Sequence, residues 1–176
     1  LKAADLAQEN IMKYFQASVG VEWKKDNTPV TIADKSTEEI ARNFWEKETP
    51  GFGVIGEEFG IENPDAEYQW VIDPIDGTKA FIHGVPLFGT LIALYKKGAP
   101  IASLIRIPAM NTAVWAVKDG GAFLDGKPVN CSKIATLSDS LVLSGTVNTM
   151  ESAGYGEKYA AVRRAAKLHR GWGDCY

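Results

Sequence analysis

One short segment carries most of the residues whose types and spacing could do chemistry. It reads Trp70-Val-Ile-Asp-Pro-Ile-Asp-Gly-Thr-Lys79, an apolar run followed by two aspartates, a glycine and a hydroxyl. The apolar run predicts a buried strand, and the polar cluster after it predicts a tight turn. Carboxylate and carbonyl oxygens suit a hard cation such as Mg²⁺, whereas backbone N–H groups near a glycine suit a phosphate. The segment therefore predicts a metal site beside a phosphate site.

The order of residues within this turn suggests what each one contributes. Pro74 fixes one backbone angle, and Gly77 lets a ligand approach the backbone closely. Two carboxylates and one carbonyl oxygen can then point to a common region, namely those of Asp73, Asp76 and Ile75. Thr78 begins a possible helix, whose first N–H groups favour an anion. The alternative is an ordinary turn in which the threonine only caps that helix.

A second acidic pair follows an earlier apolar run. Glu57 and Glu58 come one residue after the apolar run at residues 52–55, and Asp73 comes directly after residues 68–72. A single acid is by default a solvated surface residue. However, carboxylates at the ends of neighbouring buried strands converge and repel each other, and a divalent cation relieves that repulsion. The pattern therefore favours a metal held by Glu57 and Asp73.

Asp34 has two interpretations. It stands just before a helix predicted over residues 35–48, so it could simply be the N-cap of that helix. Alternatively, Asp34 and Thr78 together orient or deprotonate a water molecule. Thr31 shares this ambiguity. The two histidines, His83 and His169, are too few and too far apart to indicate a zinc site.

Composition limits the classes of function. The chain has 176 residues, a hydrophobic content of 45% and a net charge of -3, which suit one domain with a sizeable core. This charge gives no indication of a nucleic-acid or anionic-membrane partner, and no apolar run is long enough for a membrane span. Two cysteines, Cys131 and Cys175, provide no disulfide framework, which fits a reducing cytoplasm.

The remaining pattern predicts the order of elements. Helices are expected over 1–18, 35–48 and 157–168, a short helix over 78–83, and strands over 52–55, 68–72, 88–95, 101–107, 113–117 and 141–144. Lys96–Gly98 and Asp119–Gly121 have the composition of hairpin loops, so the strands should form an antiparallel meander. We therefore expect an α+β layered domain and not a doubly wound parallel sheet.

These motifs resemble the inositol monophosphatase family. Gly56-Glu-Glu58 followed by Trp70–Thr78 is similar to its paired signature, and the likeness continues in Pro29–Asp34, Phe81–Pro86 and Gly120–Pro128. The resemblance implies a layered α/β sugar-phosphatase fold with a mainly antiparallel sheet. It also implies an Mg²⁺-dependent, lithium-sensitive phosphomonoesterase that acts on a small phosphorylated metabolite. The enzyme would be a homodimer located in the cytoplasm.

Within the family, three segments look most like the histidinol-phosphate phosphatase branch. They are Thr78–Phe81, Pro86–Thr90 and Trp172–Tyr176. This likeness implies hydrolysis of histidinol phosphate in histidine biosynthesis. Inositol monophosphatase and 3′(2′),5′-bisphosphate nucleotidase stay open as alternatives, and so does a truncated relative that binds metal and a phosphorylated ligand without turnover.

The resemblance also implies roles for individual residues. The first metal would be bound by Glu57, Asp73 and the Ile75 carbonyl oxygen, and the second by Asp73 and Asp76, with two or three Mg²⁺ per site. Asp34 and Thr78 would hold the nucleophilic water. Substrate contacts would come from Glu57, Ile75, Asp76, Gly77 and Thr78, and from Asp174 for the non-phosphate part.

One part of the family pattern is not found in this sequence. The family's later Trp-Asp motif, which supplies a further carboxylate to the second metal, does not occur before Tyr176. The chain also starts at Leu1 with neither an initiator Met nor a signal sequence. We therefore expect residues 1–176 to be a single partial domain that enters the C-terminal part of the fold near 140–176, with its C-terminal layers missing.

Overall fold

The computed structural model describes residues 1–17, 20–23, 29–144 and 147–171. The described residues form two compact units, of which the first ends at Val129 and the second starts at Asn130. That the whole chain belongs to one partial domain stays a prediction.

Three helices belong to the first unit: α1 (Lys2–Ile11), α2 (Ile32–Glu48) and α3 (Thr78–Ile82). The prediction for α1 was too long, because the chain leaves the helix after Ile11 and continues in turns that include Gln16 at φ 60°. Helix α2 starts earlier than predicted, because Thr31 is its N-cap. The interpretation of Asp34 as N-cap was therefore wrong.

The strands of the first unit are β1 (Val21–Trp23), β2 (Pro29–Thr31), β3 (Gly53–Gly56), β4 (Gly60–Glu62), β5 (Tyr68–Asp76), β6 (Gly89–Lys96), β7 (Ala99–Ile107), β8 (Thr112–Val117), β9 (Gly121–Leu124) and β10 (Lys127–Val129). Eight of them form one sheet in the order β10-β9-β8-β7-β6-β5-β3-β4, and β1 pairs with β2. The predicted antiparallel meander is confirmed for β6 to β10. The hairpin β1–β2 and strand β4 were not predicted.

One pairing in this sheet is parallel, and it creates the edge where the acids meet. Strands β3 and β5 run side by side with Gly56 level with Ile72. The next residue on each strand is an acid, Glu57 and Asp73 respectively. Because parallel neighbours end at the same edge, the two carboxylates are delivered together, as the sequence predicted.

Helices and sheet meet in two apolar clusters. The first joins α1 and α2 to the central strands through Ala3, Ala4, Ala41, Trp45, Val54, Ile72, Ile92 and Leu104. In it, the Trp45 and Trp70 rings stack with centroids 4.9 Å apart. The second lies under the acidic edge and contains Ala7, Ile11, Ala33, Ile75, Phe81 and Phe88. The acidic edge therefore rests on a packed core, which limits its movement.

The second unit contains two more strands and two helices: α4 (Val147–Ser152), α5 (Gly156–Ala165), β11 (Leu141–Ser144) and β12 (Leu168–Gly171). Strands β11 and β12 pair in parallel. The helix predicted over 157–168 was too long, because the chain turns after Ala165 into β12. No helix in the described part of the chain is long and apolar enough to cross a membrane.

Candidate active site

The predicted turn at Asp73-Pro-Ile-Asp76 is instead the irregular end of strand β5. Asp73 pairs with Leu91 of β6 and Asp76 pairs with Gly89, so two residues of β5 lie opposite the single residue Thr90. Such an extra residue is a β-bulge, which re-aims the side chains around it. The turn itself comes one residue later, at Gly77, whose φ of 83° is readily adopted only by glycine.

Buried contacts fix this bulge on both sides. Pro74 cannot donate to the sheet, and its carbonyl oxygen accepts a 2.8 Å hydrogen bond from Thr90 Oγ1, a fully buried side chain. The Ile75 side chain is only 1% exposed and belongs to the apolar cluster below. Thr78 Oγ1 donates to the Ile75 carbonyl oxygen at 3.0 Å. The segment is thus held by its own side chains and by β6.

Asp73 lies in an unfavourable environment for a carboxylate. Burial, followed by the charges of Glu57 and Asp76, raises the pKa of Asp73 to about 8. Its carboxyl group is hydrogen-bonded to Glu57, yet its Oδ1 atom is buried and has no hydrogen-bond partner in the described part of the chain. A protein normally pairs such an oxygen with a donor. This oxygen needs either a proton or a cation.

Asp34 lies in the first turn of α2 and completes a capping box. Thr31 Oγ1 accepts from Ala33 N at 3.1 Å, while Asp34 Oδ2 accepts from Thr31 N at 2.8 Å and from Thr31 Oγ1 at 2.7 Å. Asp34 is only 3% exposed. Burial raises its pKa to about 6, although the bonds from Thr31 oppose this shift. The second interpretation, in which Asp34 orients or deprotonates a water molecule, therefore remains compatible with its environment.

The structure brings Asp34 into the acidic group. Its charge acts on Asp73, and the charge of Glu58 acts on Asp34. Helix α3, which starts at Thr78, packs against β2, the strand that leads into α2. Asp34 accepts its hydrogen bonds from Thr31, whereas Thr78 donates to the Ile75 carbonyl oxygen, so each of the two side chains already has a partner of its own.

The oxygen atoms gathered at this edge are of the type that binds a hard cation. They belong to the carboxylates of Glu57, Asp73 and Asp76 and to a nearby carbonyl group, which are the ligand types that Mg²⁺ prefers. Within the described ranges, no group of three or more acidic, histidine or cysteine side chains is positioned to hold a metal ion.

Sequence reasoning missed two residues that contact this site. Thr90 fixes the bulge, and Glu38 accepts hydrogen bonds from the turn that follows β3. The spacing of Asp34 and Glu38 was an available signal, because residues four apart share one face of a helix. Asp174, the predicted contact to the non-phosphate part of the substrate, lies outside the described residues.

Comparison with known proteins agrees with this geometry. The profile of the inositol monophosphatase family matches residues 1–174. A histidinol-phosphatase from Chlorobaculum parvum is 41% identical over 177 residues, covering 100% of this chain and 68% of the relative. The chain belongs to the inositol monophosphatase family, whose members are metal-dependent phosphatases acting on phosphate monoesters.

Solved structures show the same fold. The extragenic suppressor protein suhB of Bartonella henselae superimposes with a TM-score of 0.91 at 27% identity, covering 98% of this chain and 68% of that one. An inositol monophosphatase from Zymomonas mobilis gives a TM-score of 0.84 at 34% identity, covering 99% of this chain and 67% of that one. The expected family, the α+β fold and the phosphatase class are therefore confirmed.

Proposed function

We propose that the protein hydrolyses histidinol phosphate with Mg²⁺ bound at the acidic edge of the sheet. The observation that carries the proposal is the Asp73 carboxyl group, which is buried among other acids with its pKa raised to about 8. A cluster of this kind is stabilised by a divalent cation at neutral pH. The proposed ligands are Glu57, Asp73, Asp76 and the carbonyl oxygen of Ile75, holding two or three ions.

Bound there, Mg²⁺ would activate a water molecule and offset the charge of the phosphoryl group. The protein's own residues would orient the reactants. Both hydrogen bonds from Thr31 reach Asp34 Oδ2, so they fix the plane of that carboxyl group. A carboxylate held in this way is suited to accept a proton from a water molecule. We assign Asp34, with Thr78, to hold the attacking water.

The phosphate group would lie over the backbone that follows the bulge. Gly77 carries no side chain there, so a phosphate oxygen can approach the N–H groups of this turn. Glu57 and Asp76 would complete the contacts to the phosphate through the bound metal, and Thr78 through its backbone N–H at the start of α3. Asp174 remains our candidate for the non-phosphate part of the substrate.

The choice of substrate rests on the relative from Chlorobaculum parvum, a histidinol-phosphatase that matches the whole chain at 41% identity. An inositol monophosphate is the second candidate, because the inositol monophosphatase from Zymomonas mobilis is 34% identical. Inhibition by lithium, a homodimeric state and a cytoplasmic location are further proposals, supported only by the family resemblance.

A substrate panel tests the proposal. Phosphate release would be measured on the full-length protein with Mg²⁺, using histidinol phosphate, inositol 1-phosphate and adenosine 3′,5′-bisphosphate, with excess chelator as control. We expect the highest kcat/KM for histidinol phosphate and loss of turnover with chelator. A higher kcat/KM for inositol 1-phosphate would favour the second candidate. Absence of release from every substrate, with Mg²⁺ still binding, would identify a binding protein without turnover.

A further inference from the structure

Helix α2 carries a second acid, Glu38, one turn after Asp34. Glu38 is fully buried, with a relative exposure of 0%. A buried carboxylate is strongly unfavourable unless hydrogen-bond donors or an opposite charge compensate it. The partners of Glu38 therefore decide whether its buried charge is compensated.

Two of these partners are backbone amides of the acidic turn after β3. Glu58 N donates to Glu38 Oε2 at 2.8 Å, and Phe59 N donates to Glu38 Oε1 at 3.2 Å. Both amides directly follow Glu57, the acid that is hydrogen-bonded to Asp73. The buried carboxylate thus acts as an anchor for the backbone that carries Glu57.

The glycine before this turn makes the approach possible. Gly56 lies against the Glu38 carboxylate so closely that a Cβ atom there would overlap it. Since no positive φ is recorded for Gly56, the glycine is required by space and not by backbone conformation. The turn and the carboxylate are fitted to each other.

Arg42 supplies the opposite charge and ties the anchor to the neighbouring hairpin. Its Nε donates to Glu38 Oε1 at 2.9 Å, and its Nη2 donates to the Gly60 carbonyl oxygen at 2.6 Å. Its Nη1 contacts Glu62 Oε2 at 3.1 Å. Arg42 therefore links Glu38 to β4, so the turn between β3 and β4 is held from both ends.

We propose that Glu38 is a positioning residue, whose buried carboxylate fixes the turn that directs Glu57 toward Asp73. This inference rests on the proposed function, because it assigns Glu57 to the metal. A glutamine could not replace Glu38, since it offers one acceptor oxygen where the carboxylate uses both. Its NH₂ group would face either a backbone N–H or Arg42, which are also donors.

The variant Glu38→Gln tests this role, with Glu39→Gln as the matched control on the exposed side of the same helix. Mg²⁺ would be titrated by calorimetry and by the shift in Tm, without substrate. We expect Glu38→Gln to raise the Mg²⁺ concentration at half saturation by about 10- to 100-fold, as for other partners that orient metal ligands. Glu39→Gln should match the wild type.

Hydrogen exchange of the wild-type protein gives a second test that does not depend on the variant folding. The amides of Glu58 and Phe59 should exchange slowly even without metal, because both are hydrogen-bonded to Glu38. Rapid exchange of both amides would overturn the proposal. So would a Glu38→Gln protein with a lower Tm but an unchanged Mg²⁺ midpoint, since that is the result of a merely structural role. Failure of the wild type to bind Mg²⁺ would instead refute the proposed function, and this inference with it.

Discussion

Glu38 and Asp73 are two acids within the same unit that have opposite surroundings. Glu38 is completely buried, and its two oxygens receive hydrogen bonds from Arg42 and from the amides of Glu58 and Phe59. Asp73 is less buried, yet its Oδ1 atom has no donor among the described residues and its neighbours are acids. Burial alone therefore does not distinguish a structural acid from a functional one. The donors around it do.

This difference follows from which elements face each acid. Glu38 faces backbone N–H groups of a turn, which offer donors only. Asp73 faces Glu57 and Asp76 at the edge shared by two parallel strands. Its neighbours are therefore hydrogen-bond acceptors, whereas those of Glu38 are donors. An arrangement of acceptors is unstable without a proton or a cation, which is why the proposed metal is assigned to Asp73 and not to Glu38.

Replacing Asp73 should give the largest effect on activity. We expect Asp73→Asn to lower kcat/KM by about 10³-fold, roughly 4 kcal/mol, because a metal ligand is lost. The same variant should fold well, since an amide has nearly the same shape as the carboxyl group and cannot ionise beside the neighbouring acids. Phosphate release with Mg²⁺ and thermal unfolding measure the two effects, with the exposed Asp65→Asn as control. Near-normal turnover in Asp73→Asn would refute the metal assignment.

The surroundings of Asp34 are intermediate between those of Glu38 and those of Asp73, so Asp34 provides a further test of the comparison. It receives hydrogen bonds from Thr31, as Glu38 does from its donors, but its pKa is raised to about 6 in the same direction as that of Asp73. We expect Asp34→Asn to lower kcat by about 10²-fold, the contribution of a positioned base. The Mg²⁺ midpoint should stay close to that of the wild type. A large change in that midpoint would make Asp34 a metal ligand instead.

The pH dependence of stability provides a test without substrate. The pKa of Asp73 is raised from 3.8 to about 8, and that of Asp34 from 3.8 to about 6. The folded protein thus holds more protons than the unfolded chain across this window, so these two groups make the free energy of unfolding fall as the pH rises from about 4 to about 8. The free energy of unfolding of the metal-free protein should therefore be lower at pH 8 than at pH 5.

Urea unfolding in chelator at pH 5, 6, 7 and 8 measures this loss. Asp73→Asn should flatten the curve, because most of the slope belongs to that group. Saturating Mg²⁺ should reduce the slope in the wild type, since the cation takes the place of the protons. If the metal-free wild type and Asp73→Asn gave the same slope, Asp73 would not carry the proton that its surroundings require.

The sequence predicted the acidic group well because its signals are local. An apolar run followed by an acid marked both Glu57 and Asp73, and the strands that bear them are indeed neighbours. The pairing itself could not be read from the sequence, since strand order depends on contacts between distant residues. The same holds for β4, a short strand whose three residues are all exposed.

The residues that hold the acids were harder to predict. Glu38 looks like one more charged residue of a helix until the turn after β3 is placed against it. Thr90 looks like a β-branched residue of an apolar strand, and only the register with β5 places it opposite the bulge. Their roles depend on partners 20 and 16 residues away in sequence, respectively. Spacing within one element can place Glu38 on the same helix face as Asp34, but it does not identify these distant partners.

Thr90 provides the smallest effect that still tests how the acids are positioned. Thr90→Val keeps the shape of the side chain but removes the donor to the Pro74 carbonyl oxygen, which then stays buried without this bond. We expect a loss of about 1–2 kcal/mol in the free energy of unfolding and a decrease of about 10-fold in kcat/KM, as the bulge loosens beside Asp73.

The control is Thr112→Val, which removes a hydroxyl from an exposed hydrogen bond to Asp125 and should cost less than about 0.5 kcal/mol with no change in activity. Urea unfolding and phosphate release are measured on both variants. If Thr90→Val were destabilised but fully active, the bulge would keep its shape through Ile75 and the apolar cluster alone. In that case the acids at β5 would be positioned by packing, whereas the turn at Glu57 is positioned by hydrogen bonds to a buried charge.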